Sequence, residues 1–143
     1  MLIAKILQAK GDDVATVSRS ATITEALSEL AFRGVGALVV SEDGRKPEGI
    51  ISERDIVRAL HVSGAEVVER PVSEAMTALI KTCSPDDDIE VLMAVMTDLR
   101  VRHLPVVVDG ELAGIVSIGD VVKARIDQLE RDRSELVEYI SAR

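Results

Sequence analysis

A chain of 143 residues can bury about two-thirds of its unfolded surface, so it can fold without disulfides or structural metals. Hydrophobic residues make up 47% of the chain and aromatic residues only 1%, so the core must consist of aliphatic side chains. The formal net charge of −8 opposes nonspecific attraction to nucleic acid or anionic membranes, and we expect neither as a partner.

Cysteine content and hydropathy indicate where the protein works. The only cysteine, Cys83, cannot form an internal disulfide or a cysteine-based metal cluster, which favours a reducing compartment. No apolar run reaches the roughly 20 residues that a membrane span requires. Lys5 interrupts the apolar residues 1–7 before they could serve as the core of a signal peptide. We therefore expect a cytoplasmic protein.

In chain order, the first half begins with a helical turn, a strand and a helix. Residues 3–7 predict the turn, and the β-branched residues around Thr16 predict the strand. Thr22 and Glu25 form a capping-box pattern, which predicts the start of the helix. The apolar residues that follow have the spacing of one helix face: Ile23, Ala26, Leu27 and Leu30.

The second half shows the same order. Residues 72–77 predict a helical turn, and Asp86, Asp87 and Asp88 mark the start of a helix, where carboxylates complement the helix dipole. Turn residues at 42–47 in the first half and 109–111 in the second predict a β-hairpin in each. A further helix is expected after each hairpin, beginning at Glu53 and at Ile118.

The two halves are also similar in sequence. Residues 49–60 recur about 65 residues later as residues 114–125, and about half of the aligned positions are identical. Upstream, Val14–Ser18 matches Ile80–Ser84 approximately, and Val35–Val40 matches Val101–Val106. Each repeat therefore has the order β-α-β-β-α.

A repeat of this size is marginal alone, so we expect an α/β (α+β) fold with the two pseudo-symmetric repeats packed face to face. Such packing leaves a cleft between them, and a cleft is where a ligand binds. We place the first repeat at residues 1–70, the second at 71–128 and a C-terminal helical extension at 129–143.

Two tandem stretches of the form Gly-apolar-apolar-Ser-x-x-Asp-apolar, each following a hairpin strand, resemble a cystathionine-β-synthase (CBS) domain pair, or Bateman module. The resemblance covers nearly the whole chain and is to stand-alone pairs rather than to pairs attached to an enzyme. It implies binding of AMP, ADP, ATP, NAD or S-adenosylmethionine in the cleft. It also implies that the protein regulates a partner, so far unidentified, and does not catalyse a reaction.

The resemblance also implies which residues contact the ligand. Asp55 and Asp120 would accept hydrogen bonds from ribose hydroxyls, while Ser52, Ser117 and the amides at the start of the following helix would meet phosphate. The complete set of implied ligand-binding residues is Thr16, Gly36, Ala37, Ser52, Arg54, Asp55, Lys81, Thr82, Arg102, His103, Pro105, Ser117, Ile118, Gly119 and Asp120.

Each of these residues also has a purely structural interpretation. Ser-x-x-Asp at a helix start is a capping-box pattern, and capping and ligand roles can coexist. Thr16 and Thr82 are β-branched residues suited to a strand, and His103 could be a packed or capping side chain. The two sites are expected to be unequal, because the first repeat has Gly36 and Ala37 where the second has Arg102 and His103.

We expect no catalytic residues and no metal site. A phosphate-binding loop and a His-Glu-x-x-His motif are absent from the sequence, and His61 and His103 are the only histidines. A small hydrolase is the weakest alternative.

The C-terminal segment has a heptad-like apolar seam interrupted by Arg133. Its members are Val122, Ile126, Leu129, Leu136 and Ile140. Residues 130–135 otherwise form a mixed-charge helix surface, so the seam must pack against the protein's own body or against another chain. We expect a homodimer. The alternative to ligand sensing is a structural module that docks a partner through this helix with no nucleotide bound.

Overall fold

The computed structural model describes residues 1–11, 13–78 and 81–142. Ile80, which the repeat alignment pairs with Val14, lies outside the described residues. The elements of the first half are α1 (Ile3–Lys10), β1 (Thr16–Val17), α2 (Ile23–Arg33), β2 (Ala37–Val40), β3 (Gly49–Ser52) and α3 (Glu53–Ser63). Two 3-10 turns (Ala65–Glu69 and Val72–Glu74) lead to β4 (Thr77–Ala78), α4 (Ile89–Leu99), β5 (His103–Val108), β6 (Glu111–Ser117) and α5 (Ile118–Ser141).

The strands form two sheets among the described residues, which confirms the expected mixed α/β fold. The first sheet has the order β1-β2-β3-β4, with β1 parallel to β2 and the other pairs antiparallel. The second sheet is the β5–β6 hairpin. The first strand of the second repeat is reduced to a single parallel bridge between Cys83 and Val106. The repeat order predicted from sequence is therefore present in both halves, more weakly in the second.

The second hairpin has the tight turn that its sequence indicates. Asp109 and Gly110 connect β5 to β6 with φ angles of 52° and 79°. Two consecutive positive φ values match the right-handed twist of the flanking strands, and Asp-Gly is one of the few dipeptides that adopt them readily.

Each repeat has its own hydrophobic core, but a segment from outside the repeat completes it. Ile3 and Ile6 of α1 are buried in the core of the second repeat, where the Ile3 amide donates to the Asp87 carbonyl at 3.0 Å. Val72 is buried in the core of the first repeat, and its amide donates to the Ala21 carbonyl at 2.7 Å. The segment that precedes the first repeat therefore packs on the second repeat, and the segment that precedes the second repeat packs on the first. The boundaries at residues 70 and 128 stay a prediction about the sequence repeats.

Cys83 is a packing residue of the second core. Its side chain is 5% exposed, and its thiol contacts the Pro105 carbonyl with an Sγ–O distance of 3.6 Å. Burial, reinforced by the nearby Asp87 carboxylate, raises the pKa of Cys83 to about 12. The thiol is therefore protonated at neutral pH and is a poor nucleophile.

The C-terminal helix α5 extends well beyond the second core. Val121 near its start is buried, and Arg125 forms an ion pair with Glu90 of α4. Further along, Leu129, Leu136 and Ile140 are 49%, 59% and 61% exposed. The described part of the chain therefore leaves the apolar seam uncovered. None of the described helices is both long enough and apolar enough to cross a membrane.

Gly49 and Gly114, equivalent positions of the two repeats, provide a test of this packing. A Cβ at Gly49 would lie 2.6 Å from the carbonyl oxygen of Thr77, and one at Gly114 would lie 2.7 Å from Cδ2 of Leu7. The Leu7 side chain can rotate away, whereas the β4 backbone cannot. In urea unfolding, we expect G49A to lower the free energy of unfolding by about 3 kcal/mol and G114A by about 1 kcal/mol.

Gly36 is the control, because the nearest atom to a Cβ there is 3.8 Å away. G36A should therefore leave the unfolding curve nearly unchanged. If G49A and G114A lowered the free energy of unfolding equally, a contact with rigid backbone would cost no more than one with a movable side chain, which would contradict this explanation.

Candidate functional site

A cavity of about 600 Å³ opens between the two repeats, and we call it the cleft. The first repeat contributes Gly36 and residues 50–58 at the junction of β3 and α3. Thr77 and Ala78 of β4, together with Lys81, form a second wall, and residues 99–104 of the second repeat form the third. A cavity of this volume is in the range of small-molecule sites.

A complete capping box holds the junction of β3 and α3. The Asp55 amide donates to Ser52 Oγ at 3.2 Å, and the Ser52 amide donates to Asp55 Oδ2 at 2.9 Å. Thr77 Oγ1 of β4 donates to Asp55 Oδ1 at 3.0 Å. These bonds confirm the capping interpretation and fix the carboxylate at the cleft wall. Each carboxylate oxygen accepts more than one hydrogen bond, so Asp55 can still accept from a ligand.

The cleft is electropositive in an otherwise acidic protein. Five cationic side chains line it: Arg54, Arg58, Lys81, Arg100 and Arg102. The carboxylates that line it are Glu53 and Asp55. Within the described residues, none of the five cations forms a side-chain hydrogen bond or an ion pair. The cleft thus offers unneutralised positive charge to an anion.

His103 lies where the two repeats meet. A Cβ built on Gly36 would lie 3.9 Å from His103 Cε1, so the imidazole lies beside the first repeat. Burial lowers the pKa of His103, and the Lys10 ammonium adds to this effect. The Asp120 and Glu53 carboxylates raise the pKa of His103, but by less than burial and the neighbouring cations lower it. His103 is therefore neutral at pH 7, a property that the sequence alone did not reveal.

Aliphatic side chains complete the cleft, as the shortage of aromatic residues implies, although the sequence did not single out which ones. Ile50, Leu99, Val101 and Leu104 lie on its walls. The alternating burial of β3 places Ile50 on the face opposite Ile51 and next to Ser52. Because residues two apart on a strand share a face, the motif serine Ser52 could have indicated Ile50. A ligand ring bound here would pack against aliphatic carbon rather than stack on an aromatic side chain.

The second repeat has the same capping box with a different neighbour. The Ser117 amide donates to Asp120 Oδ2 at 2.9 Å, and the Asp120 amide donates to Ser117 Oγ at 3.1 Å. Lys10 at the end of α1 donates through Nζ to Asp120 Oδ2 and, at 3.0 Å, to the Ile115 carbonyl. The ammonium of Lys10 thus contacts the Asp120 carboxylate, whereas the hydroxyl of Thr77 contacts the Asp55 carboxylate.

The basic residues of the cleft have few counterparts at the equivalent positions of the other repeat. Arg54 corresponds to Gly119, and Arg102 corresponds to Gly36. Lys81, Arg58 and Arg100 correspond to Ala15, Lys123 and Gly34. Only Lys123 preserves the charge, so the two repeats share backbone geometry but not electrostatics.

The structure brings about half of the predicted site residues into the cleft wall. These are Gly36, Ser52, Arg54, Asp55, Lys81, Arg102 and His103. The others lie at the second capping box or on strand segments outside the lining of the cleft: Thr16, Ala37, Thr82, Pro105, Ser117, Ile118, Gly119 and Asp120. Arg58 and Arg100, which sequence reasoning did not select, also line the cleft. Ligand contact by any of these residues remains a prediction.

Comparison with known proteins agrees with this architecture. Residues 10–62 and 72–127 each match the CBS domain family. The chain belongs to the CBS domain family. The CBS-domain containing protein ATU1752 from Agrobacterium tumefaciens has a similar crystal structure, with a TM-score of 0.83 and 44% sequence identity. The superposition covers 87% of this chain and 99% of that one.

Two similar CBS structures contain adenosine ligands. CBS domain protein PAE2072 from Pyrobaculum aerophilum is complexed with AMP; it is 30% identical, with a TM-score of 0.74 over 84% of this chain and 89% of that one. The CBS domain pair of protein MJ0100 is in complex with 5′-methylthioadenosine and S-adenosyl-L-methionine. It is 25% identical, with a TM-score of 0.78 over 90% of this chain and 98% of that one.

A curated relative from Arabidopsis thaliana is longer than this chain. It is the CBS domain-containing protein CBSX3, mitochondrial, which is 37% identical over 123 residues. The alignment covers 83% of this chain and 60% of the relative. This chain therefore corresponds to little more than half of that protein.

The contact between Lys10 and Asp120 predicts a change with pH. Burial tends to raise the pKa of Asp120, but hydrogen bonds from Lys10 and Ser117 outweigh it and hold the pKa below its usual value. The ionised carboxylate therefore stabilises the fold above its unfolded pKa, and this stability is lost as pH falls through the folded pKa. In K10M, we expect the Asp120 pKa to rise toward its unfolded value, so that the chain is less stable at neutral pH and loses less stability on acidification.

NMR titration of Asp120 and urea unfolding between neutral pH and about pH 3 measure both effects. K5M is the control, because Lys5 is exposed on the same helix and makes no side-chain hydrogen bond with a described residue. An Asp120 titration identical in K10M and the unmodified chain would contradict the assignment.

Proposed function

We propose that the protein is a regulatory module that binds an adenosine nucleotide in the cleft and thereby modulates a partner protein. The candidate ligands are AMP, ADP, ATP and NAD. The observation that carries the proposal is the Ser52–Asp55 capping box in a cavity lined by unpaired cations. The adenosine ligands of PAE2072 and MJ0100 support it.

The chemistry of the cleft suits the three parts of a nucleotide. The positive end of the α3 dipole attracts phosphate, and the Arg54 amide in its first turn, unlike the Glu53 and Asp55 amides, makes no hydrogen bond with a described residue. The Asp55 carboxylate is an acceptor for the two vicinal ribose hydroxyls. Ile50, Val101 and Leu104 offer an aliphatic surface to the purine. These roles are proposals for residues that the structure brings together.

We expect one ligand per chain. The second capping box has Lys10 on its carboxylate and lacks most of the cationic side chains of the cleft. The ligand roles suggested by the repeat for Ser117 and Asp120 are therefore weaker proposals than those for Ser52 and Asp55.

A regulator needs two states with different affinities for the ligand. Because the cleft has walls from both repeats, a ligand that closes it would move one repeat relative to the other and change the surface that a partner meets. We propose no catalytic step. A cytoplasmic location stays a prediction, and the Arabidopsis relative is described as mitochondrial.

Self-association is the second part of the proposal. The seam of α5 is half exposed along most of its length, and Val57 and Val62 of α3 are 63% and 82% exposed. Apolar surface of this kind is stabilised when a second chain covers it. We propose a homodimer in which α5 and the repeat helices contact the other copy. The alternative is a structural module whose exposed helix docks another protein in the absence of nucleotide.

Calorimetric titration with AMP, ADP, ATP, NAD and S-adenosylmethionine tests the ligand proposal. Asp55→Asn and Asp120→Asn form a matched pair, since asparagine keeps a capping oxygen and loses the charge. We expect one ligand per chain, at least about tenfold weaker binding for D55N, and unchanged binding for D120N. Thermal unfolding checks that both variants fold. Binding of none of the five ligands, or equal losses in both variants, would sink the proposal.

Sedimentation analysis tests the homodimer. We expect the unmodified chain to sediment as a dimer and the double variant L129E/L136E to sediment as a monomer, because charge in an apolar seam opposes its burial. V108E, at an exposed position of the second hairpin, is the control. A monomeric unmodified chain would refute the dimer. A protein captured through Leu129, Leu136 and Ile140 but independently of nucleotide would favour the alternative module.

A further inference from the structure

The cationic side chains of the cleft differ from four arginines elsewhere in the chain. Arg19, Arg33, Arg70 and Arg125 each pair with a carboxylate. The five cations of the cleft have no such partner among the described residues, although the sequence contains 25 acidic residues. Like charges held together repel one another. Their grouping around one cavity therefore points to an anion that is not part of the protein.

The five cations come from three separate segments, so no single local feature explains them. Arg54 and Arg58 lie one turn apart on α3, and Lys81 follows β4. Arg100 and Arg102 precede β5 on the wall formed by the second repeat. Charges on different walls can contact different groups of one extended ligand.

Arg100 has an unfavourable backbone conformation for an arginine. It ends α4 in the left-handed region with φ 55°, where glycine is favoured. The equivalent residue of the first repeat is Gly34, which ends α2 with φ 64°. The second repeat thus places an arginine on a left-handed backbone position where the first has glycine, and Arg100 lines the cleft. Strain retained at one position is a sign of function there.

The charge balance distinguishes between ligand classes. The five cations exceed the two carboxylates of the cleft by three charges. The Arg54 amide and the dipole at the start of α3 already suit one phosphate. A monophosphate there would leave the arginines of the second repeat's wall unpaired, and the sulfonium of S-adenosylmethionine would add positive charge.

We infer that the cleft selects a nucleoside polyphosphate, with the first phosphate at the start of α3 and the distal phosphates on Arg100 and Arg102. This inference rests on the proposed function and specifies its ligand class. Arginine suits the distal position because its guanidinium donates two hydrogen bonds to one phosphate. Arg100 and Arg102 are accordingly specificity-determining residues.

The test is calorimetric titration of the full chain with adenosine, AMP, ADP, ATP, S-adenosylmethionine and inorganic tripolyphosphate. We expect ATP to bind at least about tenfold more tightly than AMP, and salt to weaken ATP binding more than AMP binding. R100G, which introduces the residue of the other repeat, should lose about tenfold in ATP affinity and less than about threefold in AMP affinity. R102A should behave in the same way.

R133A is the matched control, because it removes an arginine of α5 that does not line the cleft. R133A should change neither the affinity for ATP nor the affinity for AMP. Thermal unfolding shows whether R100G and R102A fold; the unequal effect on ATP and AMP is a readout that simple destabilisation would not produce.

The outcomes separate this inference from the proposed function. If AMP or S-adenosylmethionine binds as tightly as ATP and depends on Asp55, the proposed function stands and the polyphosphate inference is overturned. If tripolyphosphate bound as tightly as ATP, the nucleoside would not be recognised, and this result would also overturn the inference that the cleft selects a nucleoside polyphosphate. If no adenosine ligand binds, both fail.

Discussion

The core of each repeat is completed by a segment that precedes the other repeat in sequence. A chain of about 65 residues buries too little surface to be more than marginally stable, and Ile3 and Val72 each add an apolar side chain to the core of the other repeat. The same crossing determines the chemistry of both candidate sites. It brings β4 and Lys81 to the cleft beside Asp55, and it brings α1 with Lys10 to Asp120.

The two capping boxes show how one backbone geometry can serve different purposes. In both, a serine ends a hairpin strand, and an aspartate three residues later bonds back to its amide. The first box opens on a cavity with unpaired cations, and the second is covered by an internal ammonium. A duplicated fold can in this way keep two structurally equivalent helix starts while only one of them faces a site suited to an anion.

Much of the fold and part of the cleft were predictable, for reasons that differ by residue. Periodicity predicted α2, the acidic residues before Ile89 predicted the start of α4, and the Asp-Gly pair predicted the second hairpin, because these signals act within a few residues. The repeated motif indicated Ser52 and Asp55. Arg58 and Arg100 carry no such motif and join the cleft only when distant segments meet. The individual residues of the aliphatic wall were missed because apolar residues in a sequence are assigned first to the core.

The sequence by itself determined the duplication, the order of elements in each repeat and the capping boxes, since all of these depend on neighbours along the chain. Only the tertiary structure decided which segment completes which core, that His103 is neutral, and that Lys10 contacts Asp120. These properties depend on desolvation and on charges many residues apart, and both are set by packing. The difference between the two sites is therefore a property of the fold, although the residues that produce it can all be read in the sequence.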